Sequence, residues 1–512
     1  MAVNRPPSND AKSSNPDSDA ALLADMGYVQ DMKRNFSVWS VLGVGFSLTN
    51  SWFGISTALV TGINSGGPVL IIYGIILITL ISASVGISLA ELASAMPNAG
   101  GQYFWAYELA PPKFAKFASY LTGWFAWAGS IFTSASVALG LGSAVMGCVK
   151  LFRPEMTIQR WHILLAYLAI NTLSFLFNTH GRLLPTIATL TLYISLLSFL
   201  TILITIPSVA PTHQPPSFVF ATFTNNTGWS SPSIAFIVGL INTNWAFACL
   251  DCATHLAEEV ANPSRMIPIA ILGTVAIGCV TSWTYSVAMF FSIQDLQALL
   301  DTKTGVPILE LFYQAVRSRG AAVALEGLIL VTGMGCLVAS HTWQSRLCWS
   351  FARDNGLPFS GFLSQVDDKL GVPFNAHLVS CLIVSVLGFL YLGSVTAFNS
   401  MAAACIVLLY VSYSIPIFCL LVKGRENVRH GPFWLGWVGK VANWVLLGWT
   451  VFTFVMYSFP PVMPVKLGNM NYVCVVYGVV FAGVVGWWHI EGKRSFKERG
   501  GLVEVVQDEV VR

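Results

Sequence analysis

Apolar residues in this chain gather into long runs separated by short polar intervals. The runs match the roughly 20 residues a helix needs to cross a bilayer. Hydropathy places twelve of them, centred near Asn50, Thr79, Ser130, Ile170, Ser195, Trp245, Thr281, Gly335, Ser385, Leu409, Thr450 and Val480. The pattern predicts an all-α polytopic membrane protein of about 12 transmembrane helices. Residues 1–35 depart from it: polar and rich in Ser, Pro, Asn and Asp, they read as a disordered tail. No apolar h-region follows Met1, so no cleaved signal peptide is expected. Residues 36–490 then form the spanning domain and residues 491–512 a second tail.

Two of the runs are interrupted. Small and polar residues break the first at Asn50-Ser51-Trp52-Phe53-Gly54 and the sixth at Asn242-Thr243-Asn244-Trp245. Discontinuous helices 1 and 6, five spans apart, point to a five-plus-five inverted repeat with a binding site near the bilayer midplane. Backbone groups freed inside a membrane are tolerated only where they line a cavity. In the alternative, the Asn and Thr residues merely glue neighbouring helices together.

Composition sharpens this picture. Of 512 residues, 55% are hydrophobic and 10% charged, with a mean hydropathy of +0.66. An ordinary soluble domain carries about 25% charged residues, so a soluble enzyme is excluded. The net charge of +3 is too weak to argue for nucleic acid binding. Twenty of the 27 Lys and Arg residues fall on the side that carries both termini, which the positive-inside rule puts in the cytoplasm. A sequon at Asn225-Asn226-Thr227 falls on the other side, in agreement. The ten cysteines form no paired spacing in the loops, and Cys249-Leu-Asp-Cys252 reads as packing. There is no Walker loop, Gly43-Val-Gly-Phe-Ser47 fits neither an esterase elbow nor a dinucleotide loop, and no His/Cys cluster has metal spacing. No catalytic residue, cofactor or metal is expected.

Three motifs narrow the class further: ELASAMPNAGGQYFW from Glu91 to Trp105, CLDCATHLAEEVANPSRMIPIA from Cys249 to Ala270, and SRLCWSFARDNGLP from Ser345 to Pro358. In that order they resemble the amino acid–polyamine–organocation superfamily, in its fungal amino acid and choline permease branch. NFSVWSVLGVGFSLTNSWFGISTALVTG and GLINTNWAFACLDCATH are similar to the choline permeases of that branch. The resemblance implies a multi-pass plasma-membrane permease working by alternating access. Its implied substrate is choline, with ethanolamine as a second; relatives carry γ-aminobutyrate, other amino acids or polyamines. A non-transporting nutrient sensor is the competing class, which the short tails disfavour. No oligomeric state is implied.

Choline's quaternary ammonium has no N–H to donate, so aromatic faces must hold it, at roughly 0.5–2 kcal/mol per ring. Trp52 and Phe53 in the first break, Trp245 and Phe247 in the second, and Trp124 and Trp127 beside Ser130 on the third span are placed to do so. The resemblance puts Asn50, Ser51, Trp52, Phe53 and Gly54 on the substrate-lining stretch of span 1. It likewise makes Asn244 and Trp245 part of the second break, Trp245 a gating or stacking ring, and Ser130 the span-three contact. Trp52 and Phe53 stand where amino acid transporters carry small residues that receive a carboxylate, which suits a methylated cation. Asp251 lies about two turns beyond Trp245, with His255 at i+4 on the same face. Three roles are open to Asp251: balancing the substrate, relaying a proton, or pairing with Arg265 or the backbone. Glu258 and Glu259 read as gate or loop contacts, His341 as a satisfied buried histidine, and Glu326, near the outer end of span 8, as a solvated acid in preference to one that attracts cations into the vestibule.

Overall fold

The computed structural model describes residues 16–497. Ten of the described helices are long and apolar enough to cross a membrane, and two shorter, broken segments complete twelve crossings. Span 1 comprises Val38–Thr49 and the first part of Ser51–Ala95; the remainder of that helix, from Pro68 onward, is span 2, after a kink at Gly67 (φ 67°). Spans 3, 4 and 5 are Pro112–Phe152, Arg160–Phe177 and Leu184–Val209. Span 6 begins as Pro232–Trp245, and span 7 is Pro263–Ser292. Spans 8 to 12 are Arg319–Arg353, Phe374–Gly388, Val395–Lys423, Trp437–Met456 and Val473–Trp487. Among the described residues, β pairing is limited to two isolated bridges.

Local chemistry explains where the helices begin. Ser37 caps span 1 in a reciprocal capping box with Ser40. Proline stands at the first turn of spans 3, 5, 6 and 7, where its missing N–H costs nothing. Large apolar side chains such as Leu165, Leu197, Ile204, Val280, Val451 and Val479 are exposed on the outside of the bundle, as lipid contact requires. In span 10, 67% of the apolar window is enclosed, against 22% in spans 4 and 12. Span 10 therefore sits near the centre of the bundle, with spans 4 and 12 at the periphery.

Both described ends meet on one face, called the terminal face below. The Tyr28 hydroxyl donates to Asp354 at 2.7 Å, and the Lys497 amide donates to the Asp354 carbonyl at 3.0 Å. This corrects the expectation of a disordered tail through residue 35. Residues Pro16–Asp25 form a helix, and the following segment is packed, with Leu23, Tyr28, Met32 and Phe36 buried. Those four apolar side chains lie among many polar ones, so average composition hid a segment with a core-facing side. Asp19 pairs with Arg34 at 2.7 Å and accepts the Asn262 amide at 2.9 Å, binding the segment to the start of span 7. Residues 1–15 and 498–512 lie outside the described part.

The two breaks are present and differ from expectation in extent. In span 1 a single residue, Asn50, leaves the helix (φ 27°, ψ 66°), and the helix resumes at Ser51. Asn tolerates positive φ better than most residues, and its side-chain amide donates to Ser195 Oγ at 3.0 Å. In span 6, Asn242 to Trp245 remain helical; the chain opens after Trp245, turns through Cys249 (φ 65°), and makes one short 3-10 turn at Thr254–Leu256 before span 7. Gly54 is required where the breaks cross: a Cβ there would sit 2.8 Å from the Ala246 backbone.

Candidate functional site

A vestibule opens toward the face opposite the termini. Its larger chamber, about 870 Å³, lies among spans 6, 10 and 11 and the loops before spans 10 and 12. A second chamber of about 340 Å³ is lined by Phe53, Ser56, Thr57, Val137, Asn242, Trp245, Glu326 and Ala402. Beneath them lies a void of about 10 Å³ bounded by Leu48, Thr49, Phe53, Thr133, Trp245, Ala248 and Cys249. That void holds no more than one water. Trp245 borders all three spaces, so its indole and the Phe53 ring form the floor of the open path.

The electrostatics of this floor favour a cation. The helices ending at Thr49 and Trp245 bring their C-termini to the void, and a helix C-terminus carries about half a negative charge. One positive end, that of the helix restarting at Ser51, opposes these two. Glu326 is 1% exposed, and its Oε2 has no hydrogen-bond partner. No Lys or Arg among the described residues pairs with it. Arg160, a cation lining the larger chamber, is engaged with the Leu392 carbonyl at 3.1 Å.

The terminal side of the void is closed by a network of buried polar contacts. Asp251, fully buried, accepts from Tyr413 Oη at 2.5 Å, Gln102 Nε2 at 2.6 Å and Trp343 Nε1 at 3.2 Å, and faces His255 Nε2 at 3.2 Å. His255 Nδ1 lies 2.7 Å from the Ala99 carbonyl. One helical turn further, Arg346 grips Glu259 through two contacts of 2.8 and 3.2 Å. Arg353 grips Glu258 at 2.6 and 3.0 Å and stacks between the rings of Tyr28 and Trp349. Such bidentate pairs are strong and directional.

Residues 36–481 match the amino acid permease family. The chain belongs to that family. It is 56% identical to a choline transporter of Saccharomyces cerevisiae, an alignment covering 94% of this chain and 85% of that protein. It is 36% identical to a 7-keto 8-aminopelargonic acid transporter of the same yeast, covering 88% and 90% of the two chains. An amino-acid permease of Arabidopsis thaliana is 31% identical over 94% of this chain and 96% of its own. The protein is thus a membrane permease and not an enzyme.

The permease structure divides the expected site residues into two groups. Phe53, Gly54 and Trp245 lie where the breaks meet the open path. Trp52, expected beside them, turns the other way: its indole donates to Ser195 Oγ at 3.0 Å and packs on Phe199 and Tyr285 of spans 5 and 7. Because the helix resumes at Ser51, Trp52 and Phe53 point about 100° apart, and only one can face the cavity. Asn50 likewise binds span 5, while Ser51 and Phe247 press against Gly278 of span 7. Asn244 is bonded to Tyr410 at 2.8 Å and Tyr457 at 3.0 Å, tying span 6 to spans 10 and 11. On span 3, Trp127 reaches Ser380 at 3.4 Å and Ser130 bonds the Trp127 carbonyl, whereas Thr133, one turn on, lines the void. Trp124 packs on Trp127 at a centroid distance of 5.6 Å. Asp251 and His255 come together as expected from i+4 spacing, but the partners of Asp251 are Gln102, Trp343 and Tyr413 rather than Arg265. Glu258 joins Arg353 in the seal.

Sequence reasoning undervalued Glu326 as a solvated acid. The available signal was a carboxylate alone in an apolar run, which marks a functional site by default. The polar partners of Asp251 gave no such signal, since they come from three separate elements.

Proposed function

We propose that this permease imports choline across the plasma membrane, with its terminal face in the cytoplasm. The observation that carries the reading is the lining of the vestibule: an indole and a phenyl ring at the floor, with a buried carboxyl group that lacks a positive partner. The 56% identity to a choline transporter supports the same substrate. The excess of Lys and Arg toward the terminal face supports the orientation. In this arrangement the trimethylammonium group rests on Trp245 and Phe53, and Glu326 balances its charge. A zwitterionic amino acid would bring its own carboxylate against Glu326, which disfavours that class.

Transport then follows from exchanging which side is closed. The vestibule is open to the outside while the Glu258–Arg353 and Glu259–Arg346 pairs hold the inside shut. Closure of the vestibule above the cation, with movement of Trp245 and Phe53 from beneath it and separation of those pairs, releases it to the cytoplasm. A potential of 100 mV supplies about 2.3 kcal/mol per charge, roughly fiftyfold accumulation. The Asp251–His255 pair adds a site for a proton. A carbonyl only accepts, so His255 Nδ1 carries a hydrogen toward Ala99, and its Nε2 faces a carboxylate oxygen.

Uptake of labelled choline in yeast lacking its own choline transporter tests the reading. Saturable uptake, blocked by excess unlabelled choline and untouched by γ-aminobutyrate, is expected. Entry of γ-aminobutyrate without competition from choline would contradict it. Asp251→Asn is expected to remove the pH dependence of uptake and retain its dependence on membrane potential. An unaltered pH profile in this variant would assign the carboxylate a purely structural role.

A further inference from the structure

Spans 8 and 9 assemble a cluster that lies off the transport path. His377 and Cys381 are i and i+4 on span 9, so they share a face, and His341 meets them from span 8. One ligand atom from each lies within 4.8 Å of the others, and all three residues are buried. His341 Nδ1 is 3.3 Å from Cys381 Sγ, and His377 Nδ1 is 3.6 Å from it. In a three-coordinate site, metal–nitrogen bonds of about 2.0–2.1 Å and a metal–sulfur bond of about 2.3 Å separate nitrogen and sulfur by about 3.8 Å. The observed spacings reach that value by opening about 0.2–0.5 Å, within the reach of side-chain rotation. This corrects the expectation that no His/Cys cluster has metal spacing: the third member comes from a different span, which no local motif can reveal.

The surroundings are those of a ligand set. His377 Nε2 donates to the Phe175 carbonyl at 3.1 Å, and the imidazole stacks on the Phe175 ring at 4.6 Å. That bond leaves the Nδ1 lone pair directed toward Cys381 and fixes the ring, as outer partners of metal-binding histidines do. His341 Nε2 has no hydrogen-bond partner, so Cys381 supplies this buried histidine's polar contact. The satisfied histidine expected at position 341 is therefore half-satisfied.

We propose that His341 Nδ1, His377 Nδ1 and Cys381 Sγ bind one soft monovalent cation, Cu(I), in a three-coordinate site of two nitrogens and one sulfur. Thiolate and imidazole donors suit Cu(I) and Zn(II), and charge decides between them. When the sulfur–metal bond forms, Cys381 gives its thiol proton to water. A monovalent ion then leaves the site neutral, whereas a divalent ion leaves an unbalanced positive charge in a low-dielectric interior. The adjacent polar group, Gln344 Nε2 at 3.8 Å from the sulfur, is an amide donor and offers no fourth ligand. The bound ion ties span 9 to span 8, two residues before Trp343 and five before Arg346, both of which hold the inner seal.

The test uses the full-length protein purified in detergent and titrated anaerobically with Cu(I) from a chromogenic chelator, with Zn(II) in parallel. Thermal unfolding is followed with and without the ion. The expected result is one equivalent of Cu(I), an X-ray absorption shell of one sulfur and two nitrogens, and a melting temperature raised by the ion. Cys381→Ser and His341→Gln are expected to lose both the equivalent and the shift, while Cys348→Ser keeps them. The two site variants alter different spans, and their ion-free melting curves establish that each is folded. Absence of a bound ion, retention of the equivalent by folded Cys381→Ser, or tighter binding of Zn(II) than Cu(I) would overturn the assignment. None of these readouts depends on choline transport.

Discussion

The two ends of the transport path treat charge in opposite ways. At the terminal face, Glu258, Glu259, Arg346 and Asp251 are buried, and each makes at least two hydrogen bonds to other side chains. At the opposite face, Glu326 is as deeply buried and keeps an oxygen without any. Burial alone therefore does not separate the gate from the site; the pairing of the carboxylates does. A closed gate pairs its carboxylates within itself, and a binding site keeps a carboxyl oxygen in reserve for its ligand.

The largest effect expected from this contrast is on stability. Arg346→Met leaves Glu259 buried without its partner, a loss of about 3–5 kcal/mol, read as a sharply lowered melting temperature. Adding Glu259→Leu to Arg346→Met is expected to restore most of it. The mirror-image substitution, Glu326→Gln, is expected to leave melting unchanged or raise it, because an unpaired buried carboxylate is removed. It is also expected to raise the KM for choline about tenfold, or about 1.4 kcal/mol. Equal destabilisation by Arg346→Met and Glu326→Gln would erase the distinction between the two regions.

Smaller effects sharpen the floor of the vestibule. Trp245→Leu is expected to raise the choline KM by about three- to thirtyfold, the range of one cation–π contact, and Trp245→Phe by less, since it keeps a π face. Equal losses in both variants would give Trp245 a role of shape. Trp52→Phe removes one hydrogen bond to Ser195, worth about 0.5–1.5 kcal/mol. That loss is expected in melting temperature, with the choline KM unaltered.

Much of this fold was legible in the sequence, because a bilayer leaves few alternatives to long apolar helices. The two breaks were located to within a few residues by Asn50 and by Asn242 to Trp245. Which ring faces the path was not legible. Trp52 and Phe53 are adjacent, and their directions depend on where the helix resumes, a matter of one residue's φ. The seal was half-legible: Glu258 and Glu259 stood out, while their arginines lie some 90 positions away on span 8. The segment before Phe36 misled because composition averages over a stretch whose few buried side chains are spread among polar ones.

The central claim is that the externally open path runs past Phe53 and Trp245 and leaves Trp52 outside it. The most direct measurement is cysteine labelling in intact cells with a membrane-impermeant quaternary ammonium thiol reagent, in a chain carrying Cys474→Ser to remove the exposed native thiol. Thr57 lines the smaller chamber and Trp52 does not. Thr57→Cys is predicted to react rapidly and to be protected by choline, whereas Trp52→Cys remains unmodified. Rapid, choline-sensitive labelling of Trp52→Cys with none at Thr57→Cys would contradict the account.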